Sequence, residues 1–149
     1  STQYASTMDW HVAYTGVEGL TLGYASGEDK TTKGSEADVS TYYITYAYGP
    51  VTVAFAETEY DSESTATTAD QDFTAYSVAY TVSDDISVTY GNETYDLTGN
   101  AVDEEVEAIG VSYTSGGMTI SANQYEAKGA GNTAGAKSDK WSLSAAFAF

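Results

Sequence analysis

Large apolar residues alternate with small or polar ones along most of this chain. In the stretch from Asp139 to Phe149, Trp141, Leu143, Ala145, Phe147 and Phe149 share one parity. Lys140, Ser142, Ser144, Ala146 and Ala148 share the other. A strand turns successive side chains to opposite faces, so the stretch reads as a strand with one apolar face. The same pattern recurs upstream. Trp10, Val12 and Tyr14 alternate with Asp9, His11 and Ala13, and Leu20, Leu22 and Tyr24 follow a turn at 16–19. Tyr42, Ile44, Tyr46 and Tyr48 run into Gly49–Pro50, and Val51, Val53 and Phe55 run out of it. Tyr76, Val78, Tyr80 and Val82 meet a turn at 83–85, then Ile86, Val88 and Tyr90. Ile109, Val111 and Tyr113 meet a turn at 115–117, then Met118, Ile120 and Ala122.

These segments repeat. Tyr14, Tyr46, Tyr80 and Tyr113 each close a strand before a short turn, at spacings of 32, 34 and 33 residues. That is a hairpin repeat in which short turns alternate with long connections. The expectation is all-β: nine antiparallel strands in one domain, with polar loops at 26–38 and 57–72.

Composition narrows the class. The chain has 149 residues, no Cys, one Pro and fourteen Tyr. Without Cys there is neither a disulfide framework nor a thiolate metal site. Twenty-two acidic residues against five lysines, and no Arg, argue against nucleic acid as a partner. No apolar run is long enough for a membrane helix, which leaves a membrane barrel open, because barrel strands are individually weak signals. The first residues show no signal peptide, so one was removed or the chain starts inside a longer protein.

Where the charges fall decides between a membrane barrel and a soluble sandwich. All 22 carboxylates lie off the apolar-face positions named above. A charge facing lipid near the midplane costs about 2–4 kcal/mol, so a lipid-facing wall avoids it. The opposite parity is almost entirely Ala, Gly, Ser and Thr, too small and polar for a sandwich core. It suits a wetted lumen. The expected pore-lining residues are Asp9, His11, Thr21, Thr45, Thr52, Ser77, Thr89, Glu93, Ser112, Ser121, Asn123 and Lys140. Tyr14, Tyr48, Tyr80 and Tyr113 fall at short-turn ends, as an aromatic girdle at one membrane interface would. High strand propensity of Tyr is the alternative cause.

On these features the chain resembles the general porins of Gram-negative outer membranes, most closely the alphaproteobacterial type. The likeness covers the whole chain. It rests on alternating short and long turns, aromatic short-turn ends, acidic long loops and the closing WSLSAAFAF. It implies a transmembrane β-barrel, a homotrimer, a lipid bilayer with lipopolysaccharide as surroundings, and no cofactor, metal or catalysis. It also implies that Trp141, Leu143, Phe147 and Phe149 form the C-terminal signal read by the barrel-insertion machinery. Family barrels have sixteen strands with both termini periplasmic. Nine strands counted back from a periplasmic Phe149 put Ser1 outside. The expectation is the C-terminal half of a longer porin, completed by strands from another segment or chain. A strand hidden in Ser1–Ser6, or a small barrel of eight to ten strands, are alternatives.

Other chemistry is weaker. His11 beside Asp9 lacks a nucleophile motif and reads as a lumen or rim residue. Asp103–Glu105 and Asp84–Asp85 lack the spaced ligands of a calcium loop and read as solvated charge. The expected function is therefore passive diffusion of ions and small hydrophilic solutes, with mild cation preference from the acidic vestibule. The rivals are a small surface barrel acting as adhesin or receptor through its acidic loops, and a soluble or fibrous β-repeat protein.

Overall fold

The computed structural model describes residues 8–30, 36–63 and 70–148. Alternation yields strands as expected: β1 (Asp9–Val17), β2 (Leu20–Asp29), β3 (Ala37–Tyr48), β4 (Val51–Ser62), β5 (Gln71–Ser83), β6 (Ile86–Leu97), β7 (Glu104–Ser115), β8 (Met118–Lys128) and β9 (Lys137–Phe147). They form one sheet in sequence order, each strand antiparallel to the next. One short 3-10 turn, Ala130–Asn132, precedes β9, and there is no α-helix among the described residues. The sheet is open: β1 and β9 each have one neighbour.

Three of the four short turns use positive φ, which glycine supplies without steric cost. Gly49 (φ 57°) does so before Pro50, as does Gly116 (φ 57°) in the turn before β8. The long connections are shorter than their composition suggests. β2 extends to Asp29 and β3 begins at Ala37, while β4 extends to Ser62 and β5 begins at Gln71. Several carboxylates read as loop charge, among them Glu28, Asp38, Asp61 and Asp72, therefore sit on strands.

The register carries a constant stagger. Leu20, at the first short turn, lies opposite Tyr46, two residues before the second turn at Tyr48 and Val51. Val51 faces Tyr80 and Tyr80 faces Val88, two residues past the third turn at Ile86. Ile86 faces Tyr113 and Tyr113 faces Ile120, two residues past the fourth turn at Met118. Each turn thus moves two residues over two strands. The long-loop ends follow, with Asp29–Ala37, Tyr60–Gln71, Tyr95–Glu104 and Lys128–Lys137 as successive last pairs. One residue per strand is about 3.3 Å along for about 4.8 Å across, so the strands lean ~35° from the normal to the line of turns.

There is no core of the usual kind. Among the described residues only Ala37 and Asn92 are buried. Most of the exposed large apolar side chains stand on one side of a single layer.

Candidate functional site

The two faces of the sheet differ, and they differ again between the short-turn half and the long-loop half. On the apolar face near the short turns, cross-strand neighbours from β1 to β7 are large: Tyr14–Leu22, Leu22–Ile44, Ile44–Phe55, Val53–Val78, Val78–Tyr90 and Tyr90–Ile109. Aromatic pairs knit this face. Trp10 and Tyr24 lie 5.2 Å apart, Tyr42 and Phe55 6.0 Å, and Tyr76 and Tyr90 6.3 Å, ring centre to ring centre. Such offset and tilted pairs add to the stability of a strand pair. Tyr14, Tyr48, Tyr80 and Tyr113 all point from this face and are exposed. So do Trp141, Leu143 and Phe147 on β9, with Trp141 the most exposed at 78%. Phe149 lies outside the described residues.

The opposite face holds small residues across the same half. Thr21 pairs with Thr45, Ser77 with Gly91, Thr89 with Gly110, and Ser112 with both Ser87 and Ser121. Hydroxyls bond across the strands: Ser87 to Ser112 at 2.7 Å and Thr114 to Thr119 at 3.0 Å. Asn123 lies between Gly110 and Ser142 and donates to the Ser142 hydroxyl at 3.4 Å. Thr52 sits between Ala47 and Ala79. Asp9, His11, Glu93 and Lys140 belong to this face too, toward the long-loop end. All twelve residues expected along a lumen therefore share one side of the sheet.

His11 has a different partner from the one its sequence neighbour suggests. Its Nε2 lies 3.0 Å from the Tyr43 hydroxyl, and the two rings stack with centres 6.0 Å apart. Tyr43 lies over Gly23, where a Cβ would collide with the ring. The glycine makes the room and the tyrosine covers the backbone thus bared. Among the described residues the recorded side-chain partner of His11 is Tyr43.

Toward the long loops the faces exchange character. The apolar face turns acidic, with Glu57 following Phe55 on β4 and Glu107 preceding Ile109 on β7. Carboxylates face carboxylates there: Glu28 and Asp38, Asp38 and Asp61, Glu59 and Asp72, Asp72 and Asp96, Glu107 and Glu126, Glu126 and Asp139. Like charges directly opposed are destabilising, so this band is not selected for stability. The tyrosines at its margin engage it, with the Tyr42 hydroxyl donating to Glu57. Asn92, 4% exposed, donates to Glu105 at 3.1 Å. Two ion pairs answer the charge among the described residues: Lys30 with Glu28, and Lys128 with Glu107 at 3.7 Å.

The small face meanwhile turns aromatic. Tyr60, Phe73, Tyr95 and Tyr125 all stand on it, with Val39, Leu97 and Val106. This corrects the expectation of an almost wholly small and polar lumen face. The signal was available in their parity: Phe73 is out of phase with Tyr76 on the same strand, and Tyr95 with Tyr90. The Tyr95 hydroxyl donates to Gln71 Oε1 at 2.8 Å. The connection between β8 and β9 folds onto this end. Its Asn132 side chain donates to the backbone oxygens of Tyr95 (3.0 Å) and Val102 (3.2 Å), and the Gly131 amide donates to Glu104 at 2.8 Å.

Alternation also disperses the acidic runs. Glu104 and Glu105 point to opposite faces, so the run Asp103–Glu105 does not converge on one ion. Among the described residues no three His, Asp or Glu side chains cluster to hold a metal. The sequence matches no family model, no curated protein and no solved structure.

Proposed function

We propose that this sheet is part of the wall of an outer-membrane channel of the porin type, passing ions and small hydrophilic solutes passively. The carrying observation is a belt of constant height. Measured along the line of short turns, the apolar face runs from that line to the same level on each of β2 to β8, and at that level it gives way to Ser, Thr, Asn, Gln and Glu. A lean of ~35° is what closing a barrel requires, and it brings the turns into one plane. Above a bilayer, a wall would meet water outside and its own loops inside, which accounts for the exchange of character between the faces. A soluble sandwich supports neither feature, because its large residues would be buried against a second layer.

On this reading the hydroxyl-rich small face lines the pore. Asp9, Glu93 and Lys140 provide charge near its outer mouth, and the acidic band raises the local cation concentration. Solutes are sorted by lumen size and by charge, with no bond made or broken. Nine strands in meander order leave β1 and β9 running the same way. Antiparallel closure then takes an odd number of further strands, and seven would make the sixteen that the resemblance implies. Lipid and lipopolysaccharide would cover the belt, and a homotrimer is the expected assembly.

Single-channel recording of the native full-length protein in planar lipid bilayers tests this. Discrete conductance steps and a reversal potential displaced toward the cation limit in a salt gradient are expected. Absence of conductance, or anion preference, would contradict the reading.

A further inference from the structure

We propose that the small face carries, at its long-loop end, a binding site for small organic cations, namely an ammonium group on a compact apolar body. Access from the lumen rests on the channel reading, while the site itself is defined by side chains already described. Phe73, Glu93, Tyr95, Glu104 and Val106 line a cavity of about 220 Å³.

Three adjacent strands build it. Phe73 on β5 faces Tyr95 on β6, Tyr95 faces Glu104 on β7, and Glu93 faces Val106. Phe73 and Tyr95 are thus cross-strand neighbours on one face, and both carboxylates adjoin Tyr95, Glu104 across the strand pair and Glu93 two residues along β6. The anchoring is specific. The bond from Tyr95 to Gln71 fixes one ring, and the bond from Gly131 fixes the Glu104 carboxylate. No lysine lines the cavity.

The chemistry of these groups selects the ligand. Aromatic faces attract cations through their quadrupole, most strongly where water is partly excluded. Two carboxylates add charge complementarity and repel anions. Phe73 and Val106 offer apolar contact that a hydrated alkali cation does not use. A neutral polyol would leave both carboxylates without a counter-charge. An ammonium bearing methyl or methylene groups uses all five side chains at once.

The test is equilibrium titration of the full-length protein in detergent micelles with choline, followed by calorimetry and by NMR. The uncharged carbon isostere 3,3-dimethyl-1-butanol serves as control. Choline should bind saturably, with the isostere about tenfold weaker or worse. Phe73→Ala and Tyr95→Ala should each weaken choline about two- to fivefold. The exposed Glu93→Gln, which leaves the fold's packing intact, should weaken choline but not the isostere, and Asp84→Asn, in the short turn between β5 and β6, should change nothing. No saturable choline binding, equal affinity for the isostere, or indifference to Glu93→Gln would overturn the proposal. Filling of the cavity by the protein's own loops would give the first of these results. Binding without conductance would sink the channel reading and leave this site standing, and conductance without binding would do the reverse.

Discussion

Strand β5 shows two environments within thirteen residues. From Tyr76 to Val82 the apolar face carries Tyr76, Val78, Tyr80 and Val82, and the other carries Ser77, Ala79 and Thr81. From Gln71 to Thr74 the first face carries Asp72 and Thr74, and the second carries Gln71 and Phe73. The backbone pairs across the exchange without a break, and its one register shift lies between Thr81 and Ser83 at the short turn. What changes is the surroundings each face meets. A strand face has no fixed polarity. On the channel reading it takes the polarity of whatever lies beside it at that height, and the line of exchange would trace the edge of the lipid.

The largest effect should come from charging the short-turn half. Val78→Arg, at mid-belt, should cost about 2–4 kcal/mol in urea titrations of folding into lipid vesicles. Thr74→Arg, on the same face and strand but beyond the exchange, should cost far less, since Glu57 lies directly opposite it. Equal costs would erase the distinction between the halves. The next effect belongs to the small face. Gly23→Val should displace the Tyr43 ring and cost about 1–3 kcal/mol, because the side chain needs space the ring occupies. Its readout is the same titration, together with loss of the His11 to Tyr43 hydrogen bond in the imidazole NMR signals.

In the long-loop half, removing charge should help. Asp72→Asn relieves opposition from Asp96 and Glu59 and should stabilise by about 0.2–1 kcal/mol, with a smaller gain in high salt. Smallest is the contribution of Lys30. Its hydrogen bond to Glu28 holds the ammonium above its usual pKa. A raised value means that any stability from this contact is fully present below the ordinary lysine pKa and is lost as pH rises through the higher one. Melting curves of Lys30→Gln and the parent should therefore differ little at neutral pH and converge in strong alkali.

Alternation made the short-turn half legible, since period two survives whatever a face meets. All nine strands, the four short turns and the shared side of residues such as Thr21, Ser77 and Asn123 were readable that way. The long-loop half was not. At Glu57 on β4 and Thr74 on β5 the apolar parity stops being apolar, and a strand that keeps its geometry but exchanges its faces looks like a loop. Asp38, Asp61 and Asp72 were assigned to connections for that reason. Phe73 and Tyr95 were overlooked because aromatics at the small parity fit no single-pattern strand. The stagger was also beyond reach, as it depends on which residues face each other across strands.

The absence of native Cys makes single-cysteine labelling of β5 clean. Nitroxide labels placed one at a time from position 72 to position 82, in the protein reconstituted into vesicles, would report access to oxygen in lipid against access to a water-soluble nickel chelate. The account requires a period-two profile, with oxygen access at 76, 78, 80 and 82, nickel access at 75, 77, 79 and 81, and nickel access at 72 and 74 on the formerly apolar parity. Nickel access at both parities throughout would contradict a lipid-facing belt.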